Sequence, residues 1–120
     1  MRIAISSQGD TLESTVDPRF GRASVFLIVD SETMAFEVIK NAQNLNLPQG
    51  AGIQAAQNVL QHKPQVVLTG NCGPKAFKVL QAGGVDVVVG VQGKIREVIE
   101  GYMAGAYAPA GQANVEGHWV

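Results

Sequence analysis

The chain has a single cysteine, Cys72, so no internal disulfide can form and a cross-linked secreted scaffold is excluded. It has only two histidines, His62 and His118, and no Cys-x-x-Cys or paired-His spacing, which removes a conventional zinc site. Charge of one sign is also missing. Nine basic residues stand against ten acidic ones, so there is no electrostatic footprint for general nucleic-acid or membrane-surface binding. No run approaches the roughly 20 apolar residues needed to cross a bilayer. Met1-Arg2-Ile3-Ala4-Ile5 reads as a short strand rather than a secretion signal, so a cytoplasmic location is the default. Aromatic residues are few and glycines many, and the rest is ordinary for one compact soluble domain.

What is present is an alternation of apolar runs and helical patterns. Ile3–Ser6 reads as a buried strand followed by a long loop, Ser7–Ala23. Ordered loops of that length are usually functional. Ser24–Asp30 and Ala35–Lys40 read as a hairpin with its turn at Ser31–Met34. Helical patterns follow at Ala51–His62, Lys75–Ala82 and Gly93–Met103, the last with Ile95, Val98, Ile99, Tyr102 and Met103 on one stripe. Between them, Val66–Thr69 and Val85–Val91 are apolar on both faces, the mark of parallel strands covered on both sides. These elements predict an α/β domain with a five-stranded mixed sheet in order 3-2-1-4-5 and helices on both faces. Residues 1–105 form the domain, and 106–120 read as an irregular or mobile tail.

In that order the connections leave the first and fourth strands in opposite directions, and their carboxyl ends frame a crevice of the kind that holds ligands in open α/β sheets. Gly70-Asn71-Cys72-Gly73-Pro74 lies there. A strand running through glycines into a helix leaves N–H donors that favour an anion, and a thiol in such a place is acidified and reactive. The competing reading is a tight turn with a small buried cysteine. Pro48-Gln49-Gly50-Ala51-Gly52 opens the first helix without a side-chain cap, so Gly50 and Gly52 are candidate amide donors. Arg19 and Arg22, flanking Phe20, are candidates to clamp an anion, with a purely structural pairing to Asp17 as the alternative. Lys75 stands in the first turn of the second helix, within reach of the same ligand. His62 suits the end of a helix.

Enzymatic readings lack residues. A cysteine phosphatase needs an arginine after the cysteine, where this chain has Phe77 and Lys78. A metal-dependent nuclease needs carboxylates on the first strand, and Ile3-Ala4-Ile5-Ser6 has none. A Cys–His dyad has only His62 and His118 to draw on, and stays open.

Three motifs in order, Asp17-Pro18-Arg19-Phe20-Gly21-Arg22-Ala23, Gly50-Ala51-Gly52-Ile53-Gln54-Ala55-Ala56 and Thr69-Gly70-Asn71-Cys72-Gly73-Pro74-Lys75-Ala76, are followed by Leu80 and Gly83-Gly84-Val85. With them the chain, from Met1 to about Gly105, resembles the dinitrogenase iron–molybdenum cofactor binding family. The resemblance implies a ribonuclease-H-like domain that binds or carries an anionic metal–sulfur cluster. A mixed molybdenum–copper sulfide cluster held non-covalently is the first expectation, and an iron–molybdenum type cluster the alternative. The family pattern asks for the glycines and Pro74 more than for Cys72, and one thiolate is too few for an iron–sulfur cluster, which usually takes four. The expected site is Arg19, Arg22, Gly50, Gly52, Gly70, Asn71, Cys72, Gly73 and Lys75, with Cys72 as the one candidate metal ligand. A non-catalytic carrier is the leading function. A regulatory module that docks an acceptor or partner protein, and a cysteine-dependent enzyme, are its rivals.

Overall fold

A computed structural model describes residues 1–41 and 50–115. The expected features at Pro48-Gln49 and at His118-Trp119 lie outside the described residues. The elements run β1 (Arg2–Ser7), β2 (Val25–Asp30), β3 (Phe36–Lys40), α1 (Ala51–Leu60), β4 (Val66–Leu68), α2 (Pro74–Ala82), β5 (Asp86–Val88) and α3 (Ile95–Met103). The five strands form one sheet in order β3-β2-β1-β4-β5. β2 is antiparallel to both β1 and β3, while β1, β4 and β5 are mutually parallel. This is the mixed sheet the sequence predicts.

Strand alternation sorts the core into two layers. Ala4, Phe26, Ile28, Val67 and Val87 pack with Ala55, Ala56 and Val59 of α1 and Ala76, Phe77 and Leu80 of α2. Ile3, Ile5, Leu27, Val29, Val66, Leu68 and Val88 pack on the other face with Ile95, Val98 and Ile99 of α3. Full burial of each large aliphatic side chain contributes about 1.5–3 kcal/mol, so both helical layers are held by the sheet.

Three boundaries are tighter than the pattern predicts. β5 stops at Val88 because Gly90, at φ 79°, turns the chain out of the extended region. α3 starts at Ile95 because Gly93 sits at φ 108° and Lys94 is extended. α1 ends at Leu60, and Lys63 at φ 53° precedes Pro64. The larger difference is the tail. Its described residues form no helix or strand, yet they are tied to the body. The Ala106 N–H donates to Gly101 O (2.9 Å), the Ala110 N–H to Val87 O (2.7 Å) and the Asn114 N–H to Cys72 O (3.3 Å).

Among the described residues no helix is long and apolar enough to cross a membrane.

Candidate functional site

The carboxyl ends of β1, β4 and β5 share one sheet edge because the three strands are parallel. The chain from β1 crosses it as residues 8–24, the chain from β4 as Thr69–Gly73, and that from β5 as Val89–Lys94. α1 and α2 both start at this edge, since each leads back to the amino end of the next parallel strand.

A pair of buried hydroxyls fastens the first two segments together. Ser6 Oγ donates to Asp17 O (2.8 Å) and lies 2.7 Å from Thr69 Oγ1, which therefore donates to it. Neither residue was singled out from the sequence, where two small polar residues at strand ends look like ordinary punctuation. Above them, Arg19 pairs with Asn71 in a single parallel bridge, the Phe20 N–H donates to Asn71 O (3.0 Å), and Asn71 Nδ2 donates to Pro18 O (2.9 Å). The two segments approach so closely at Gly70 that a Cβ there would stand 2.8 Å from Pro18 Cα and 2.9 Å from Pro18 O. Only glycine fits.

Phe20 is fully buried and tilts against Phe26 with ring centroids 5.0 Å apart, anchoring the loop as the sequence predicts. The flanking arginines are thereby held at the rim, Arg19 exposed and Arg22 half-buried. Asp17 does not spend its carboxylate on an arginine side chain as an ion pair. It is buried, and its Oδ1 accepts the Arg19 backbone N–H (3.0 Å) in a local turn. At the end of the loop, buried Asn41 donates from Nδ2 to Gly21 O (3.3 Å) and Ala23 O (3.0 Å).

The two helix starts carry no side-chain cap and no acidic residue in their first turns. Gly50 caps α1 at φ 78° with open space around it, while Gly52 is buried within the first turn. Gly73 precedes Pro74, whose missing N–H costs nothing at the first helical position. Lys75, in the first turn of α2, is exposed. Each uncapped start contributes a positive end worth about 0.3–1 kcal/mol toward an anion.

Cys72 corrects the expectation of an acidified thiol. It is fully buried among the first-layer core residues, and burial pushes its pKa up to about 12. Its Sγ–H faces Gly73 O at 3.7 Å. The thiol therefore stays protonated at neutral pH and packs as a small apolar group. His62 is at the opposite sheet edge, where its Nδ1 meets Glu37 Oε1 at 3.2 Å and its carbonyl accepts from Arg2. Cys72 and His62 are thus kept apart. Among the described residues no three His, Cys, Asp or Glu side chains cluster to hold a metal ion.

One residue at this edge has no signal in the sequence. Asn114, from the tail, accepts the Cys72 N–H at Oδ1 (2.8 Å) and donates from Nδ2 to Gly70 O (3.2 Å) and Asn71 Oδ1 (3.1 Å). The Cys72 N–H is therefore not an open donor.

Comparison with known proteins follows the same outline. Residues 1–105 match the family model described as dinitrogenase iron–molybdenum cofactor. The apo form of the orange protein from Desulfovibrio gigas superposes with a TM-score of 0.92 at 42% identity, covering 95% of this chain and 96% of that one. A Thermotoga protein described as NifB-like superposes with a TM-score of 0.82 at 32% identity, over 97% and 98% of the two chains. An uncharacterized protein of Methanocaldococcus jannaschii is 30% identical over 108 residues, 88% of this chain and 87% of that protein.

Proposed function

The chain belongs to the dinitrogenase iron–molybdenum cofactor family, and we propose that it binds and carries an anionic molybdenum-containing metal–sulfur cluster without transforming it. The observation that carries this reading is the convergence at one sheet edge of two uncapped helix starts, a glycine turn and the arginine-bearing loop. The donor set fits one kind of cargo. Amides and cations at the rim, with a protonated buried thiol and no cluster of ligating side chains among the described residues, suit a cluster whose metals are already saturated by sulfide. A mixed molybdenum–copper sulfide satisfies that condition. A cluster that needs several protein thiolates does not.

In this reading Arg19, Arg22 and Lys75 supply counter-charge, and the N–H groups around Gly50–Gly52 and Gly70–Gly73 supply direction. Hydrogen bonds to a charged acceptor contribute about 1.5–3 kcal/mol each, so three or four suffice for a firm non-covalent hold. Cys72 fills space beneath the turn. The carrier role is favoured over a cysteine enzyme by the separation of Cys72 from His62 and by the protonated thiol. A cytoplasmic location and a place among ribonuclease-H-like folds belong to the same reading, the latter supported by the 3-2-1-4-5 order.

The test is reconstitution. Apo-protein is mixed with tetrathiomolybdate and copper, desalted, and analysed for visible colour and for both metals. Retention of a stoichiometric coloured species supports the reading. Metal that passes through the desalting column, leaving colourless protein, refutes it.

A further inference from the structure

Asn114 lies beyond the residues the family model matches, yet it makes four hydrogen bonds to the turn at the centre of the site. Its Oδ1 sits on the Cys72 N–H at 2.8 Å, the position an anionic acceptor would take on that donor. One N–H serves one strong acceptor at a time, so cargo on the turn and Asn114 compete. The segment that carries Asn114 is lightly held. From Gly105 to Val115 it has no regular structure, and apart from Asn114 it is fixed by the Ala106 and Ala110 amide bonds, by Ala110 and Ala113 packing on the first core layer and by Tyr107 on the second, all three side chains only partly buried. Segments with few buried contacts open at low cost.

We propose that residues 104–115 form an autoinhibitory strap latched by Asn114. With the latch closed its carboxamide occupies the Cys72 N–H. A cluster anion takes that N–H, because a charge-assisted bond is about twice as strong as a neutral one, and the strap lets go. Asn71 spreads the effect, since its Oδ1 accepts from Asn114 Nδ2 while its Nδ2 holds Pro18 O beside Arg19. Release also frees Val87 O on the outer strand β5, so loading is signalled at the sheet's edge. The proposal rests on the anion-binding reading above.

The probe is tetrathiomolybdate with cuprous ion, titrated into wild type, Asn114→Ala and Asn114→Asp and followed by visible absorbance. Amide hydrogen exchange is measured on wild type with and without the probe. Removing a latch that is closed most of the time tightens apparent affinity by the reciprocal of the open fraction, here about 5–10-fold for Asn114→Ala. Asn114→Asp keeps an acceptor for Cys72 and adds a negative charge, so it binds more weakly than Asn114→Ala. On loading, the Ala110 and Asn114 amides exchange faster, while the Gly90 amide, bonded to Gly70 O at 2.8 Å, does not change. Equal or weaker binding by Asn114→Ala, or tail amides that slow on loading, overturns the strap and leaves the carrier reading standing. No binding by any of the three proteins overturns both.

Discussion

Replacing Gly70 by alanine tests the joint between the two loops that meet at the candidate site. The added Cβ would stand 2.8 Å from Pro18 Cα, 2.9 Å from Pro18 O and 3.2 Å from Pro18 C, all backbone atoms that cannot rotate away. Carbon pairs settle at about 3.5–4.0 Å, so Pro18 must retreat by roughly 0.7 Å or more. That retreat pulls on the Phe20 N–H to Asn71 O bond (3.0 Å) and the Asn71 Nδ2 to Pro18 O bond (2.9 Å). Overpacking costs about 1–3 kcal/mol and each weakened bond about 0.5–1.5 kcal/mol. A total near 3 kcal/mol corresponds to a fall in Tm of roughly 10 °C for a domain of this size. Gly50→Ala is the comparison. Its Cβ meets nothing, and only the left-handed φ of 78° is strained, at about 1–2 kcal/mol. Calorimetric melts of both variants give the answer. A Gly70→Ala protein that melts within about 2 °C of the parent would show that the turn and the arginine loop are not in obligatory contact.

Cys72→Ser should fold, lose about 1 kcal/mol of stability, and keep its bound cluster and colour, whereas a folded variant stripped of metal would make the thiolate a ligand. Because burial raises the Cys72 pKa to about 12, the native thiol should resist alkylation at pH 7–8 and react readily in urea. The sign of the linkage follows: protonated Cys72 favours the fold below about pH 9, and this contribution is lost as pH climbs from 9 toward 12, measurable as a falling urea midpoint. Arg19→Ala combined with Arg22→Ala should weaken cluster retention, and raised salt should weaken it in the parent protein, since exposed charges are screened over about 8–10 Å. Unchanged retention would remove the arginines from the site. Ser6→Ala should cost more than Thr69→Val, about 1–3 against 0.5–1.5 kcal/mol by denaturant melts, because it leaves both Thr69 Oγ1 and the buried Asp17 carbonyl without their shared partner.

The strand order was legible because β4 and β5 are apolar on both faces while β3, at the sheet's far edge, is largely exposed. The helix joining β4 to β5 marks a parallel βαβ pair and the short turn joining β2 to β3 marks a hairpin, which puts β3 and β5 at opposite edges. The meeting of the Arg19–Arg22 loop with the Gly70 turn was legible by topology alone, as carboxyl ends of parallel strands must share an edge. The state of Cys72 was not. Position in the chain suggests exposure at a helix start, but the side chain turns into the layer of Ala76, Phe77 and Phe20, and desolvation outweighs the helix dipole. Ends of elements were misjudged by one to three residues where a glycine or lysine takes positive φ, a backbone property with no periodicity to read.

The tail was missed for a different reason, which bears on how the site works. Helices and strands announce themselves by repeating side chains, whereas Ala110 and Asn114 hold the tail in place through single hydrogen bonds to groups about 20 to 45 positions away. Such contacts leave no local pattern. They also add little stability, about 0.5–1.5 kcal/mol apiece at a partly exposed surface. The tail adds only the partly buried Tyr107, Ala110 and Ala113 to the two core layers, so it contributes less to the fold than the sheet and helices do. It can nevertheless govern the turn, because a difference of 1.4 kcal/mol is tenfold in an equilibrium and the contested group is a single N–H. The Gly70–Gly73 backbone is held on one side by Pro18 and Phe20 of the arginine loop and on the other by Asn114. Whatever occupies the turn therefore communicates with both segments through Asn71, whose carboxamide is bonded in both directions at 2.9 Å and 3.1 Å.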